Sequence, residues 1–140
     1  MAGQGWELFQ HDADVGIRGY GPTPAAAFEQ AALALTAAVC EPSQVAERET
    51  LHVACDASDR EMLFVNWIDS LIYEMATRRM LFSRFHIVIR DLSLEATVAG
   101  EALDVTRHQP AVEVKGATLT ELRVAEDRPG VWTAQCVIDV

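Results

Sequence analysis

The sequence predicts an α+β fold, a two-layer sandwich whose mixed, mostly antiparallel sheet of about six or seven strands carries two main helices on one face. Two amphipathic segments with helical spacing are interspersed among short segments that alternate apolar and polar residues. Several of these short segments follow one another closely, as the strands of hairpins do. At 140 residues, half of them hydrophobic, the chain is expected to form a single domain, 1–140.

Two strands and a helix are expected first. Alternation predicts strands at 6–10 and 15–20. Thr23 is a good N-cap and Pro24 suits the first helical position, so a helix is expected to begin there. Apolar residues then recur at helical spacing, and Pro42 predicts that the helix ends shortly before it.

A strand and the longer helix follow. Residues 48–55 alternate and predict the third strand. Ser58 and Glu61 have the spacing of a capping box, in which each side chain satisfies a free backbone amide at a helix start. The wide apolar stripe behind them predicts the most buried helix, and Arg78 and Arg79 suit the negative end of its dipole.

The last part of the chain has strand character. Strands are predicted at 81–90 and 92–101, with a tight reversal near Asp91. The alternating stretch 111–125 predicts one long strand or two. A turn at 128–130 and a final strand running to the last residue complete the pattern.

Charge and cysteine content restrict the function classes. A net charge of −10 repels phosphate backbones, so direct nucleic-acid binding is not expected, and metal cations or basic proteins are better partners. The alternative is that a net charge of this size only keeps the protein soluble, which is its commoner cause. The three cysteines form no CxxC pair, which disfavours a zinc site or a disulfide framework and favours a reducing cytoplasm. No apolar run is long enough to span a membrane, and the N-terminus does not resemble a signal peptide.

The stretch HDADVG near the start is a candidate for a metal site, an acid–base pair or a polar turn. An EF-hand loop would need a further oxygen ligand where Gly16 stands, so that interpretation fails. If the segment is extended, Asp12 and Asp14 share one face and His11 points the other way. A catalytic pair made from these neighbours is therefore geometrically awkward.

Two carboxylates alone do not make a tight cation site, so further ligands would have to come from elsewhere. Asp139 is a lone charge at the end of an apolar strand, and Val140 beside it brings the terminal carboxylate. If this end lies next to Asp14, two charges ~4 Å apart repel by about 4 kcal/mol at an effective dielectric of ~20, which a divalent cation would relieve. The alternative is a solvated strand terminus.

Other polar residues are weaker candidates. Lys115 alternates with valines and is expected beside Glu113 on the polar side of a strand, where a surface ion pair is the simplest interpretation. Glu101 and His108 belong to a polar stretch expected to be a loop, where acid–base chemistry or mere solvation are both open. Nucleophile-elbow, Walker and dinucleotide motifs are absent from the sequence.

Taken together, the motifs resemble those of the archease family. The stretch HDADVGIRGYGPTPAAAFEQAALAL is similar to the N-terminal pattern of that family, and NWIDSLIY, LFSRFHI, GE, RH, VEVKGAT and VIDV follow in the right order. Two departures stand out. Asp12 occupies a position where the family usually has threonine, and Leu119 and Thr120 replace a tyrosine and a histidine.

The resemblance implies a protein that activates the GTP-dependent tRNA-splicing RNA ligase, promoting its guanylylation and multiple turnover, without enzymatic activity of its own. It implies a sandwich with a strand–helix–strand–strand module and a divalent cation, expected to be Ca²⁺. The implied ligands are Asp14, Asp139 and Val140, with Asp12 as a possible outer-sphere contributor and Lys115 linked to activity. The contact is expected with protein rather than RNA. A metal-assisted phosphoester hydrolase using His108 as base and a chaperone-like binding module are the alternatives.

Overall fold

The computed structural model describes residues 3–140, which form eight strands and three helices. In chain order these are β1 (Gly5–His11), β2 (Asp14–Gly21), α1 (Pro24–Val39), β3 (Glu49–Asp56), α2 (Arg60–Arg78), β4 (Met80–Arg90), β5 (Ser93–Ala102), α3 (Val105–His108), β6 (Gly116–Ala117), β7 (Arg123–Arg128) and β8 (Val131–Asp139). A short 3-10 helix, Pro42–Gln44, follows α1.

The strands form two sheets in which every pairing is antiparallel. One sheet has the order β1-β2-β8-β6, with β7 also paired to β8, and the other has the order β3-β5-β4. The α+β class and the β3-α2-β4-β5 module are therefore confirmed. The prediction of one mixed sheet with six or seven strands is refined to eight strands in two sheets, because alternation identifies a strand without identifying its partner.

Helix α1 joins the two sheets into one core. It packs against β2 on one side and β4 on the other. At β2 the approach is so close that a Cβ on Gly19 would overlap backbone atoms of Ala27 and Ala31. The N-cap prediction is confirmed, since the Thr23 side chain accepts a hydrogen bond from the Ala26 N–H.

Helix α2 buries its apolar stripe against the same core. Trp67 is fully buried, and its indole N–H donates to the Phe28 carbonyl at 3.1 Å. The predicted cap is wrong by one residue. Asp59, not Ser58, is the N-cap, and its carboxylate accepts from the Met62 N–H at 2.8 Å. A carboxylate at this position also interacts favourably with the positive end of the helix dipole.

The prediction of one or two strands over 111–125 is largely wrong. Only β6 and β7 are strands there, and residues 111–115 are irregular. The backbone of this segment is held by single bonds instead, from the Ala111 N–H to the Val39 carbonyl and from the Lys115 N–H to the Asp139 carbonyl. The apolar and polar residues of this segment do alternate between buried and exposed positions, since Val114 is buried while Glu113 and Lys115 are exposed, but the segment is not paired as a strand.

Candidate metal centre and its surroundings

A hairpin turn, not an extended segment, contains the HDAD stretch. β1 and β2 pair up to His11 and Asp14, which face each other across the turn formed by Asp12 and Ala13. The prediction that His11 points away from Asp14 is therefore wrong, because opposed residues of an antiparallel pair lie on the same face. Asp12 has φ of 52°, a left-handed conformation that aspartate tolerates better than most side chains, and its side chain is exposed.

Asp14 lies next to the end of β8. The last registered pair of β2 and β8 is Val15 with Ile138, and the Val140 N–H donates to Asp14 Oδ1 at 3.4 Å. Continuing that register by one residue brings Asp14 opposite Asp139. The fold thus brings together the beginning of β2 and the end of β8, which are remote in sequence.

The other side of Asp139 is occupied by β6. Gly116 pairs with Asp139, and the Lys115 N–H donates to the Asp139 carbonyl at 2.8 Å. Lys115 is exposed and is the only lysine of the sequence. The structure therefore places the backbone of Lys115 directly beside Asp139, as a neighbour of the candidate centre.

Asp69 is a further carboxylate that the sequence analysis missed. It projects from α2, and its Oδ1 accepts from the Ala117 N–H of β6 at 2.8 Å. A Cβ on Gly116 would lie 3.7 Å from the same oxygen. The signal in the sequence was the spacing of Asn66, Asp69 and Ser70, which puts polar side chains on one side of a helix that is otherwise apolar.

The residues at this end of the sheet have the right chemistry for a hard divalent cation. Asp14 and Asp139 provide carboxylate oxygens, and Val140 adds main-chain oxygen. Within residues 3–140, no group of three or more His, Cys, Asp or Glu side chains is arranged to hold a metal ion. A cation here would therefore depend on main-chain oxygen of Val140 and on water to complete its coordination, which is common for Ca²⁺ and Mg²⁺.

Glu101 and His108 form a separate buried cluster. Glu101, at the end of β5, is 3% exposed, and four groups donate to its carboxylate. They are Arg107 Nη2 at 2.6 Å, the Ala46 N–H at 2.8 Å, His108 Nε2 at 2.9 Å and Arg48 Nε at 3.2 Å. Glu101 lies in β5, as the strand predicted over 92–101 implied, but the loop prediction is wrong at His108, which lies in α3.

Hydrogen bonding fixes the chemistry of this cluster. The bond from Arg107, followed by that from the Ala46 amide, lowers the pKa of Glu101 to about 2 against the opposing effect of burial. The Asp104 N–H donates to His108 Nδ1, so the hydrogen must be on Nε2, which donates to Glu101. Both imidazole nitrogens are thus occupied, which makes His108 unsuitable as a general base and gives Glu101 a structural role.

The cysteines and helices bear on two further expectations. Cys40, Cys55 and Cys136 are all free thiols. Burial is the main cause that raises the pKa of each, so none has the stabilised thiolate of a reactive cysteine. Among residues 3–140, no helix has the length and hydrophobicity needed to cross a membrane.

Comparison with known proteins gives a consistent result. The sequence model of the Archease protein family matches residues 6–140. The chain is 35% identical to a protein archease of Sulfurisphaera tokodaii, over 98% of this chain and 99% of that protein. It is 33% identical to one of Pyrococcus abyssi, over 96% and 98%.

A solved structure agrees with the fold as well. The solution structure of Methanobacterium thermoautotrophicum protein 1598 superimposes with a TM-score of 0.85 at 31% identity, covering 97% of this chain and 99% of that one. The match of sequence and fold over nearly the whole length leads to one conclusion: the chain belongs to the archease family.

Proposed function

We propose that this protein is a non-enzymatic activator of the GTP-dependent tRNA-splicing RNA ligase, promoting guanylylation of the ligase and its multiple turnover. The observation that carries the proposal is the convergence of Asp14 with Asp139 and Val140 in a chain that the archease family matches over residues 6–140. These are the residues that the family resemblance assigns to the cation.

The proposed cation is Ca²⁺, held by the carboxylates of Asp14 and Asp139 and by main-chain oxygen of Val140. Such an ion would neutralise carboxylates that otherwise repel each other. Asp12, at the exposed turn, would act at most through water. Lys115, beside Asp139, is proposed to contact the ligase, because an exposed amine at the edge of an acidic site favours an anionic group on a partner.

The partner is proposed to be the ligase protein and not its RNA, in the cytoplasm. The net charge of −10 disfavours approach to a phosphate backbone. It favours approach to a basic cleft, because charge complementarity increases the rate of association between proteins. The strongly acidic charge is therefore compatible with an activator that binds the ligase protein and not its RNA.

The test is a guanylylation assay of the cognate ligase with radiolabelled GTP, with and without this protein, over a titration of Ca²⁺ and of Mn²⁺. Wild-type protein is expected to stimulate at substoichiometric amounts. Asp14→Asn and Asp139→Asn are expected to lower stimulation by roughly 10- to 100-fold, as is typical of changes at metal centres. Circular dichroism should show that both variants remain folded, since both side chains lie at strand ends.

Asp91→Asn is the matched control. Asp91 is an exposed aspartate at the hairpin between β4 and β5, in the other sheet and away from the candidate centre. Asp91→Asn should stimulate the ligase as well as wild type does. Lys115→Gln should lose stimulation of the ligase but keep its affinity for Ca²⁺, measured by calorimetric titration. If Asp14→Asn and Asp139→Asn both stimulate normally, the assignment of the site is wrong.

The two alternatives are less well supported. A phosphoester hydrolase would need a free base, and both nitrogens of His108 are occupied. Turnover of a phosphoester without ligase would nevertheless establish it. A chaperone-like module predicts that many unrelated proteins bind regardless of chelator, whereas the proposed activator predicts stimulation that a chelator abolishes.

A further inference from the structure

β3 is an open edge of the second sheet. It pairs only with β5 among the strands of residues 3–140. The bond from the Ala57 N–H to the Leu92 carbonyl fixes the phase of this ladder, so odd-numbered residues of β3 bond to β5. The N–H and C=O groups of Thr50, His52 and Ala54 therefore point away from the sheet.

The opposite edge of the same sheet, β4, is partly covered by α1. The Ile87 N–H donates to the Glu29 carboxylate, and the Thr36 hydroxyl donates to the Phe82 carbonyl, so side chains of α1 satisfy two backbone groups of β4. Among residues 3–140, side chains satisfy only one outward group of β3, the Asp56 carbonyl, which accepts from the Asn66 amide. Proteins usually protect such edges, so one that is left open indicates a position where another strand pairs.

A cleft of about 650 Å³ runs between this edge and α2. Its lining has three carboxylates, those of Asp56, Asp69 and Glu74, and no lysine or arginine. Arg78 pairs with Glu74 from outside the lining, and His52 pairs with Glu95. Asp56 and Asp69 form no ion pair within residues 3–140, so the cleft is negative.

We infer that the cleft binds an extended, basic segment of a partner protein, which adds a strand to β3 and places its lysine or arginine side chains against the carboxylates. An edge strand beside a helix is the arrangement that peptides use in strand addition, with the backbone giving affinity and side chains giving specificity. A second copy of this chain is the other conceivable occupant. It is disfavoured because two chains of net charge −10 would meet at their acidic clefts.

The probe is a short capped peptide of alternating lysine and valine, added to ¹⁵N-labelled protein and followed by NMR. The amide protons of Thr50, His52 and Ala54 are expected to shift downfield as they form hydrogen bonds. A glutamate–valine peptide of the same length should leave them unchanged. A lysine–valine peptide N-methylated on alternate residues, which keeps its charge but loses its bonding edge, should also fail.

Ala54→Pro tests the same point on the protein. It removes an outward N–H without removing a bond to β5, and proline is tolerated at such edge positions. The variant should raise the dissociation constant of the lysine–valine peptide by about tenfold, the effect expected for losing one backbone bond. The double variant Asp56→Asn with Glu74→Gln should lower the affinity for this peptide by roughly threefold or more at low salt. Glu41→Gln and Glu113→Gln, which lie outside the cleft, should leave the affinity unchanged.

Several results would overturn the inference. Equal binding of the N-methylated peptide would mean attraction by charge alone, whether or not Ala54→Pro folds. Shifts confined to other amides would place the peptide elsewhere. Concentration-dependent shifts of the β3 amides, with a dimer in sedimentation, would make a second copy the occupant. Because the assay contains no ligase, its failure would leave the proposed activation of the ligase untouched.

Discussion

Replacing Glu101 by glutamine should expose how much the buried ion cluster contributes to stability. The change keeps the shape of the side chain and an oxygen that can accept from the Ala46 amide, but it removes the charge that binds Arg107 and Arg48. The pKa of Glu101 is lowered from its ordinary 4.5 to about 2. Each tenfold change in proton affinity is worth about 1.4 kcal/mol, so the charged form stabilises the fold by about 3 kcal/mol.

The sign of the pH dependence follows from the direction of that change. Because the pKa is lower in the folded protein, the contribution is complete above pH 4.5 and is lost as the pH falls towards 2. Wild type should therefore exceed Glu101→Gln by about 3 kcal/mol in free energy of unfolding at pH 7. The difference between the two proteins should shrink steadily below pH 4.5.

Urea denaturation followed by tryptophan fluorescence, to which buried Trp67 contributes, measures both free energies of unfolding at pH values from 7 down to 3. Glu95→Gln is the control, because Glu95 is an exposed carboxylate whose one ion pair within residues 3–140 is with exposed His52. Its effect should stay below about 1 kcal/mol. A Glu101→Gln deficit of the same size at pH 3 as at pH 7 would refute the argument, since it would then come from packing and not from charge.

Two further predictions concern local structure. Asp59→Ala should lower the free energy of unfolding by about 1 kcal/mol, because it removes the cap of α2, and Ser58→Ala should lower it by well under half of that. Thermal or urea unfolding measures both. A larger effect of Ser58→Ala than of Asp59→Ala would instead support Ser58 as the cap. Gly19→Ala should cost more than about 3 kcal/mol or prevent folding, because its Cβ would overlap the backbone of α1, whereas Gly3→Ala, with open space around it, should be neutral in the same assay.

Local signals predicted the start of α1 well because its causes are local. The cap at Thr23 and the proline at position 24 determine where α1 begins, and both are visible in the sequence. The prediction of strands over 111–125 failed for an equally physical reason. The alternation there correctly separates half-buried Val112 and buried Val114 from exposed Lys115, but burial alternates wherever an extended chain crosses a core, with or without a strand beside it.

The candidate site was only half predictable from local pattern. Nothing near Asp14 indicates Asp139, because their proximity depends on the pairing of β2 with β8, and the family resemblance was needed to connect them. The sequence predicts the wrong face for His11, because the turn after it contains no glycine or proline and the segment therefore looks extended. Asp12 adopts the positive φ instead, which reverses the chain within two residues.

Asp69 connects the two surfaces on which this protein is proposed to act. Its carboxylate lines the cleft beside β3, and the same carboxylate accepts from the Ala117 N–H of β6. β6 in turn pairs with Asp139 at the candidate metal centre. A basic side chain drawn into the cleft would compete with the Ala117 amide for that carboxylate, and loosening β6 would alter the support of Asp139. Ca²⁺ affinity measured with and without the lysine–valine peptide should therefore change, and Asp69→Ala should abolish the dependence. An affinity that is the same with and without the peptide would show that the cleft and the metal centre act independently.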